Sequence, residues 1–246
     1  MKYFNYIILL LVILASGVGY IYRSDISTRL NRELEEHGFI VEDIELYGRK
    51  HTSLASVHEV LDIGGGEGIL SVDIDALRER LNALPWVKSA MVHRQVPNRI
   101  SIKLMEHEPA VIWQTKGRHY LVSTEGEIID APVSGFSHLP IAIGDNAFQT
   151  APSFVKQLSS AAPEVFARLK AVVREGNRRW TLMLDDLDAG IEVKLPEGDV
   201  SAALDRLLQL MLEEKILDKN LAVLDLRQPG KMVVRFHKVV ARKQDS

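Results

Sequence analysis

The sequence predicts an α+β protein organised as a membrane anchor followed by two modest domains. Three observations carry this. Residues 3–22 hold no charged side chain and are mostly apolar. Residues 39–107 show strand and helix patterns in the order strand, helix, helix, strand, strand. From residue 108 onward short strand patterns separated by turn residues dominate, with helices between them. The bulk composition is that of an ordinary globular protein, 46% hydrophobic and 26% charged, with a formal charge of -3. That balance excludes a generically basic nucleic-acid binder. The absence of cysteine excludes disulfides, thiolate nucleophiles and Cys-ligated metal centres.

The anchor comes first. Residues 3–22 would span about 30 Å as a helix, the hydrocarbon thickness of a bilayer. Tyr3, Tyr6, Tyr20 and Tyr22 sit near its two ends, where amphipathic rings favour the headgroup level. A cleaved signal peptide is the competing reading, with Lys2 before the apolar core and Ala15-Ser16-Gly17 after it. The run continues through Val18 to Tyr22, long for a signal core, so we read a retained transmembrane helix behind a tail of residues 1–2. Its flanking charges, Lys2 before and Arg23, Arg29 and Arg32 after, leave the orientation undecided, because long domains translocate regardless of such charges. Residues 23–38 are charged, with Ile26, Leu30 and Leu34 four apart, which fits a solvated helical stalk.

Residues 39–47 read as a strand, and Ser53 as the cap of a short helix through Leu61. Gly64-Gly65-Gly66-Glu67-Gly68 lacks the lysine of a phosphate-binding loop and the strand-turn-helix setting of a dinucleotide fold, so it reads as an inter-helix loop. Asp73 is a good N-cap; Ile74, Leu77, Leu81 and Leu84 form one stripe, and Pro85 ends the helix. Trp86 to Arg94 reads as a strand, Pro97-Asn98 as a turn, and Ile100, Ile102 and Leu104 alternate along the returning strand. These elements make a unit over residues 39–107.

The second unit, residues 108–240 with a tail at 241–246, starts with short strands at Ala110–Gln114, His119–Val122 and Glu127–Ile129. A Pro/Gly/Ser-rich stretch then runs to Pro152, and Ser153–Leu169 reads as a helix interrupted at Pro163. Strands follow at Ala171–Arg174, Trp180–Leu184 and Gly190–Leu195. A helix at Val200–Glu214 has Leu204, Leu207, Leu208, Met211 and Leu212 on one face. Strands Leu221–Arg227 and Lys231–Val239 flank the turn Gln228-Pro229-Gly230.

No catalytic constellation emerges. The eight histidines are scattered without metal-ligand spacing. Glu106 and Glu108 would share a strand face if the strand persisted, but paired carboxylates need a cleft to act as acid and base. Asp185-Asp186-Leu187-Asp188 lacks the closing glutamate of a calcium loop. The chain thus reads as a non-enzymatic binding or scaffolding protein with no cofactor, metal, nucleic acid or small-molecule substrate. Its binding element is the last segment, Lys231 to His237, rich in β-formers. As an edge strand it would accept a partner strand through main-chain hydrogen bonds; as an interior strand it would already be paired, and sequence alone does not choose. If the edge is used, Val233→Pro should abolish binding by removing one N–H.

Several motifs resemble the FtsQ/DivIB cell-division family. Gly68-Ile69-Leu70-Ser71-Val72-Asp73, Leu84-Pro85-Trp86-Val87, Arg94-Gln95-Val96-Pro97-Asn98 and Glu106-His107-Glu108-Pro109-Ala110 look like its POTRA domain. Glu125-Gly126-Glu127-Ile128-Ile129, Leu195-Pro196-Glu197-Gly198-Asp199 and Leu224-Asp225-Leu226-Arg227-Gln228-Pro229-Gly230 continue the match, most like alphaproteobacterial members. The resemblance implies a single-pass type II inner-membrane protein with a periplasmic POTRA domain and a mixed, mostly antiparallel β-domain carrying helices. It implies a divisome component at the septum, linking early and late division proteins and binding the FtsB/FtsL pair by strand addition. By position, Arg227, Gln228, Gly230, Val233 and Val234 fall on the family's partner-contacting strand and preceding turn, and Met232 and Phe236 belong to the same segment. Gln228 stands where some members carry tyrosine and Glu197 where a basic residue is usual, which bears on partner preference. The rival classes are a membrane-anchored cell-wall hydrolase using Glu106 or Glu108 and a POTRA-bearing export or assembly factor.

Overall fold

The computed structural model describes residues 32–237, and the chain divides between Glu106 and His107 into two compact units. The segments read as the transmembrane helix, residues 3–22, and as the C-terminal tail, residues 241–246, lie outside the described residues. Among the described residues no helix is long and apolar enough to cross a membrane.

The first unit runs β1 (Asp43–Tyr47), α1 (Leu54–Leu61), α2 (Ile74–Asn82), β2 (Val87–Gln95), β3 (Arg99–Glu106). This is the expected order. Its sheet is ordered β1-β3-β2, with β1 parallel and β2 antiparallel to β3. Both helix starts are capped as their residues dictate. Ser53 accepts the N–H of Ser56, and Asp73 accepts those of Asp75 and Ala76, which satisfies donors that an opening turn leaves unpaired. The apolar stripes of both helices then bury Val57, Leu61, Leu77 and Leu81 against Val92, Ile100, Ile102 and Leu104. The first strand is shorter than expected. Residues 39–41 leave the sheet to pair with the glycine loop, Val41 donating to Glu67 and Ile69 to Phe39. That pairing occupies the backbone groups that would have lengthened β1.

The second unit runs β4 (Pro109–Thr115), β5 (Arg118–Ser123), β6 (Ile128–Ile129), β7 (Ile141–Ile143), α3 (Ala147–Ala161), α4 (Pro163–Phe166), β8 (Leu169–Glu175) and β9 (Arg179–Leu184). It continues with β10 (Ile191–Glu197), α5 (Ser201–Glu214), a 3-10 turn at Ile216–Asp218, β11 (Leu221–Asp225) and β12 (Val233–Phe236). The strands form one sheet ordered β12-β11-β10-β9-β8-β7-β4-β5-β6. Pairing is parallel at β10–β11, β7–β8 and β4–β7 and antiparallel elsewhere, so the sheet is mixed and mostly antiparallel. Parallel neighbours need a crossover: α3 and α4 join β7 to β8, and α5 joins β10 to β11. Phe154, Leu158, Leu204 and Leu207 of these helices share one core with Val172, Leu182, Val193 and Leu224 of the sheet. Each such side chain, fully buried, contributes about 1.5–3 kcal/mol.

Three sequence expectations are corrected in this unit. The Pro/Gly/Ser-rich stretch contains β7, three residues paired on both sides inside the sheet. The helix expected to begin at Ser153 begins at Ala147, with Pro152 inside it, and Leu169 belongs to β8. A proline near a helix start removes a single internal hydrogen bond, with Phe148 as the carbonyl left over, and the turn survives because Ala147, Ala151 and Phe154 bury beside it. On α5 the inward face carries Leu204, Leu207 and Leu210, whereas Leu212 is 79% exposed. The 3.6-residue period places Leu212 off that stripe.

Candidate functional site: the free edge at the last strand

The last strands are built to leave one edge open. β11 runs between β10 and β12, and among the described residues β12 is the terminal strand of the sheet, so the last segment is an edge strand there. The turn before it closes through Lys231 N–H on Gln228 C=O at 3.1 Å, with Gly230 at φ 74, a conformation that glycine adopts without strain. Pairing is antiparallel with Val233 opposite Asp225, Val234 opposite Leu224, Arg235 opposite Val223 and Phe236 opposite Leu221.

The direction of each backbone group follows from two fixed points. His237 N–H donates to Asn220 C=O, so residue 237 points inward to β11. Leu226 N–H donates to Lys194 C=O, so 226 points to β10 and Asp225 and Val223 point to β12. Antiparallel strands alternate, which places Val233 and Arg235 in the ladder with β11 and turns the N–H and C=O of Val234 and Phe236 outward. This corrects the expected role of Val233: its N–H serves the internal ladder, and proline there would damage the sheet rather than the open edge.

Side chains alternate from Met232 to Arg235, with Met232 and Val234 partly buried on the core and Val233 65% exposed; Phe236, on the face of Val234, breaks the pattern at 54% exposed. Beside the turn lies a cleft of about 370 Å³ lined by Arg179, Asp225, Arg227, Gln228, Lys231 and Val233. Its carboxylate is held: Asp225 accepts the backbone N–H of Arg227 at 3.0 Å, its Nε at 2.9 Å and its Nη2 at 2.6 Å. That guanidinium keeps the Asp225 carboxyl below the usual range, and the carboxylate raises Arg227 in turn. A second depression, about 340 Å³, is lined by Leu187 and Asp188 of the β9–β10 loop, Glu192 of β10 and Phe236 of β12.

Of the expected contact residues, Met232, Val233, Val234 and Phe236 line this edge, Gly230 forms its turn, and Arg227 and Gln228 reach the cleft. Lys231, the first residue of the expected binding segment, also lines the cleft, and Asp225 and Arg179 complete it without having stood out in the sequence. The spacing of Asp225 and Arg227, two apart at a strand end, is the signal that a local acid–arginine clasp offers.

The other candidates are absorbed by structure. The Glu106 carboxylate accepts the backbone N–H groups of Lys50, His51 and Thr52 at 3.0, 2.7 and 2.9 Å, tying the end of β3 to the loop before α1. Burial acts to raise its pKa. The Thr52 hydroxyl beside it and the three N–H groups outweigh that and hold it below the ordinary value, the opposite of a general acid. β3 ends at Glu106 and β4 begins at Pro109, so Glu106 and Glu108 share no strand face. In the acidic turn, Asp185 pairs with Arg168 and Asp186 accepts the N–H groups of Asp188 and Ala189.

Comparison with known proteins agrees with this architecture. Residues 39–107 match the family model described as POTRA domain, FtsQ-type, and residues 111–227 match the one described as cell division protein FtsQ/DivIB, C-terminal. The chain is 36% identical over 211 residues to a cell division protein FtsQ of Agrobacterium fabrum, covering 85% of this chain and 65% of that protein. Identity is 35% to the FtsQ of Rhizobium radiobacter, covering 79% of this chain and 91% of that protein. It is 32% to that of Rickettsia conorii, covering 85% and 77%. The chain thus spans slightly under two thirds of the Agrobacterium protein it matches. Among solved structures, the extracytoplasmic domain of the cell division protein DivIB of Geobacillus stearothermophilus matches at 15% identity and a TM-score of 0.30, over 45% of this chain and 97% of that one.

Proposed function

The chain belongs to the FtsQ/DivIB cell-division family, and on that premise we propose that it is a non-enzymatic divisome component whose β12 edge takes up a strand from the FtsB/FtsL pair. In this reading residues 3–22 anchor the chain in the inner membrane, the POTRA unit and the β-unit lie in the periplasm, and the protein links early and late division proteins at the septum. The observation that carries it is the open edge: the main-chain groups of Val234 and Phe236 face outward beside exposed apolar side chains. Strand addition draws affinity from such groups and specificity from the side chains that flank them.

The hydrolase alternative loses its leading carboxylate, because Glu106 is committed to three backbone donors. The test is a pull-down from cross-linked dividing cells, wild type against a deletion of Met232–Phe236. Recovery of FtsB and FtsL with the wild type and their loss with the deletion is expected. Equal recovery from both would reject the edge as the docking element.

A further inference from the structure

The clasp at the foot of β12 does more than neutralise a charge. Asp225 ends β11 directly opposite Val233, and its carboxylate gathers the backbone N–H, Nε and Nη2 of Arg227. Two separable contacts result. The backbone N–H bond is an Asx-type turn that steers the chain from β11 toward the Gln228-Pro229-Gly230 turn. The side-chain bonds fix a guanidinium that would otherwise sample many rotamers, so the entropy of ordering it is spent before a partner arrives. The clasp engages Nε and Nη2 of Arg227 and not Nη1, and Arg227 lines the cleft together with Arg179, Gln228, Lys231 and Val233. Arg179 brings a further buried Nε without a hydrogen-bond partner among the described residues.

We propose that Asp225 is a positioning residue of the docking edge: it holds Arg227 so that Nη1 is presented across the cleft to an acceptor oxygen of the incoming strand, without itself touching that strand. This rests on the strand-addition reading above. Positioning and charge predict opposite outcomes when Asp225 is removed. The cleft holds three cations and one carboxylate, so deleting the carboxylate makes it more positive. A site acting through positive charge alone would keep or gain affinity. A site acting through a pre-aimed guanidinium loses affinity.

The experiment measures binding of the full-length chain, in detergent, to the purified FtsB/FtsL pair by calorimetry. Asp225→Asn retains an oxygen for the Arg227 backbone N–H, so it spares the turn while placing an amide against the guanidinium. Asp225→Asn and Arg227→Gln are each expected to weaken binding about tenfold, and the double variant no more than Arg227→Gln alone. Asp225→Glu, which restores a carboxylate, should recover binding to within about threefold of wild type. Unchanged or tighter binding by Asp225→Asn, or additive losses in the double variant, would overturn the proposal. Equal melting of Asp225→Asn and wild type is expected; a lowered melting point that accounts for the lost binding would also overturn it. Phe236→Pro run in parallel reports on strand addition itself, so a failure of that reading shows separately from the Asp225–Arg227 cycle.

Discussion

Phe236→Pro is the sharpest probe of the open edge, because it removes one outward N–H and leaves the internal ladder intact. His237 is bonded to Asn220 and Arg235 pairs with Val223, so the donor at 236 has no role inside the sheet. Edge positions tolerate proline where the N–H faces solvent. In a complex, that donor would be lost, about 1 kcal/mol net, and the partner carbonyl facing it would be left unsatisfied, about 1–2 kcal/mol more. The expected loss is roughly 2–3 kcal/mol, about 30- to 150-fold in Kd. Phe236→Ala separates ring from backbone: the side chain is 54% exposed, so its removal costs the folded chain little and any loss of binding reports contact with the ring. Arg235→Pro is the opposite control, since it breaks a ladder bond to β11 and should lower the melting point. The assay is calorimetric titration of full-length variants with the FtsB/FtsL pair, with thermal melts alongside. If Phe236→Pro melts as wild type and binds as tightly as Phe236→Ala, main-chain strand addition at this edge is wrong.

Three further outcomes concern the first unit. Glu106→Gln should destabilise it by about 1–2 kcal/mol, discounted for partial exposure, as read by denaturant unfolding. The Glu106 pKa is lowered from 4.5 on folding, so this contribution is fully present above about pH 4.5 and is lost as pH falls through the lower folded value; the gap between wild type and variant should close only there. Gly48→Ala should cost about 2–3 kcal/mol, because φ is 80 at Gly48 and a Cβ would overlap the carbonyl oxygen of Leu104. An unshifted melting temperature would contradict that. Asp73→Ala should lower stability by about 1 kcal/mol through loss of the α2 cap, whereas Asp73→Ser should hold most of it; equal melting of the three proteins would show the cap idle.

What the sequence disclosed and what it hid divide along a physical line. Ser53 and Asp73 announced their helices because a cap acts on the next turn alone, and Ile100, Ile102 and Leu104 announced a strand because one face is buried and the other is wet. β7 was invisible for the complementary reason. Three residues between Pro140 and Gly144 carry too short a pattern, and only pairing to β4 and β8 on either side makes them a strand. Tertiary burial likewise overrode Pro152 in α3. At the edge, the β-rich composition of Lys231–His237 was legible, but the side to which each N–H points was not. That parity depends on register, and a shift of one residue exchanges inward and outward groups. The Asp225–Arg227 clasp was local enough to read, yet its importance comes from Val233 opposite it, a neighbour supplied by pairing.

An open edge carrying exposed Val233 and Phe236 would ordinarily invite indiscriminate pairing, and the way this one is restrained bears on what it selects. Three features act together. β12 is four residues long, so few main-chain bonds are on offer to any strand that does not also fit the flanking side chains. The β11–β12 pairing carries a register shift between Leu221 and Val223, which increases local twist and opposes flat stacking. Lys231 and Arg235 place positive charge at the start and middle of the edge, which resists a second copy laid against it with like charges near one another. A strand that overcomes these restraints must add side-chain contacts in the cleft or on Phe236. A short, cationic edge paired to a bulged neighbour therefore shifts the source of affinity from generic backbone pairing to those contacts, and selectivity rests with the residues around β12 rather than with β12 alone.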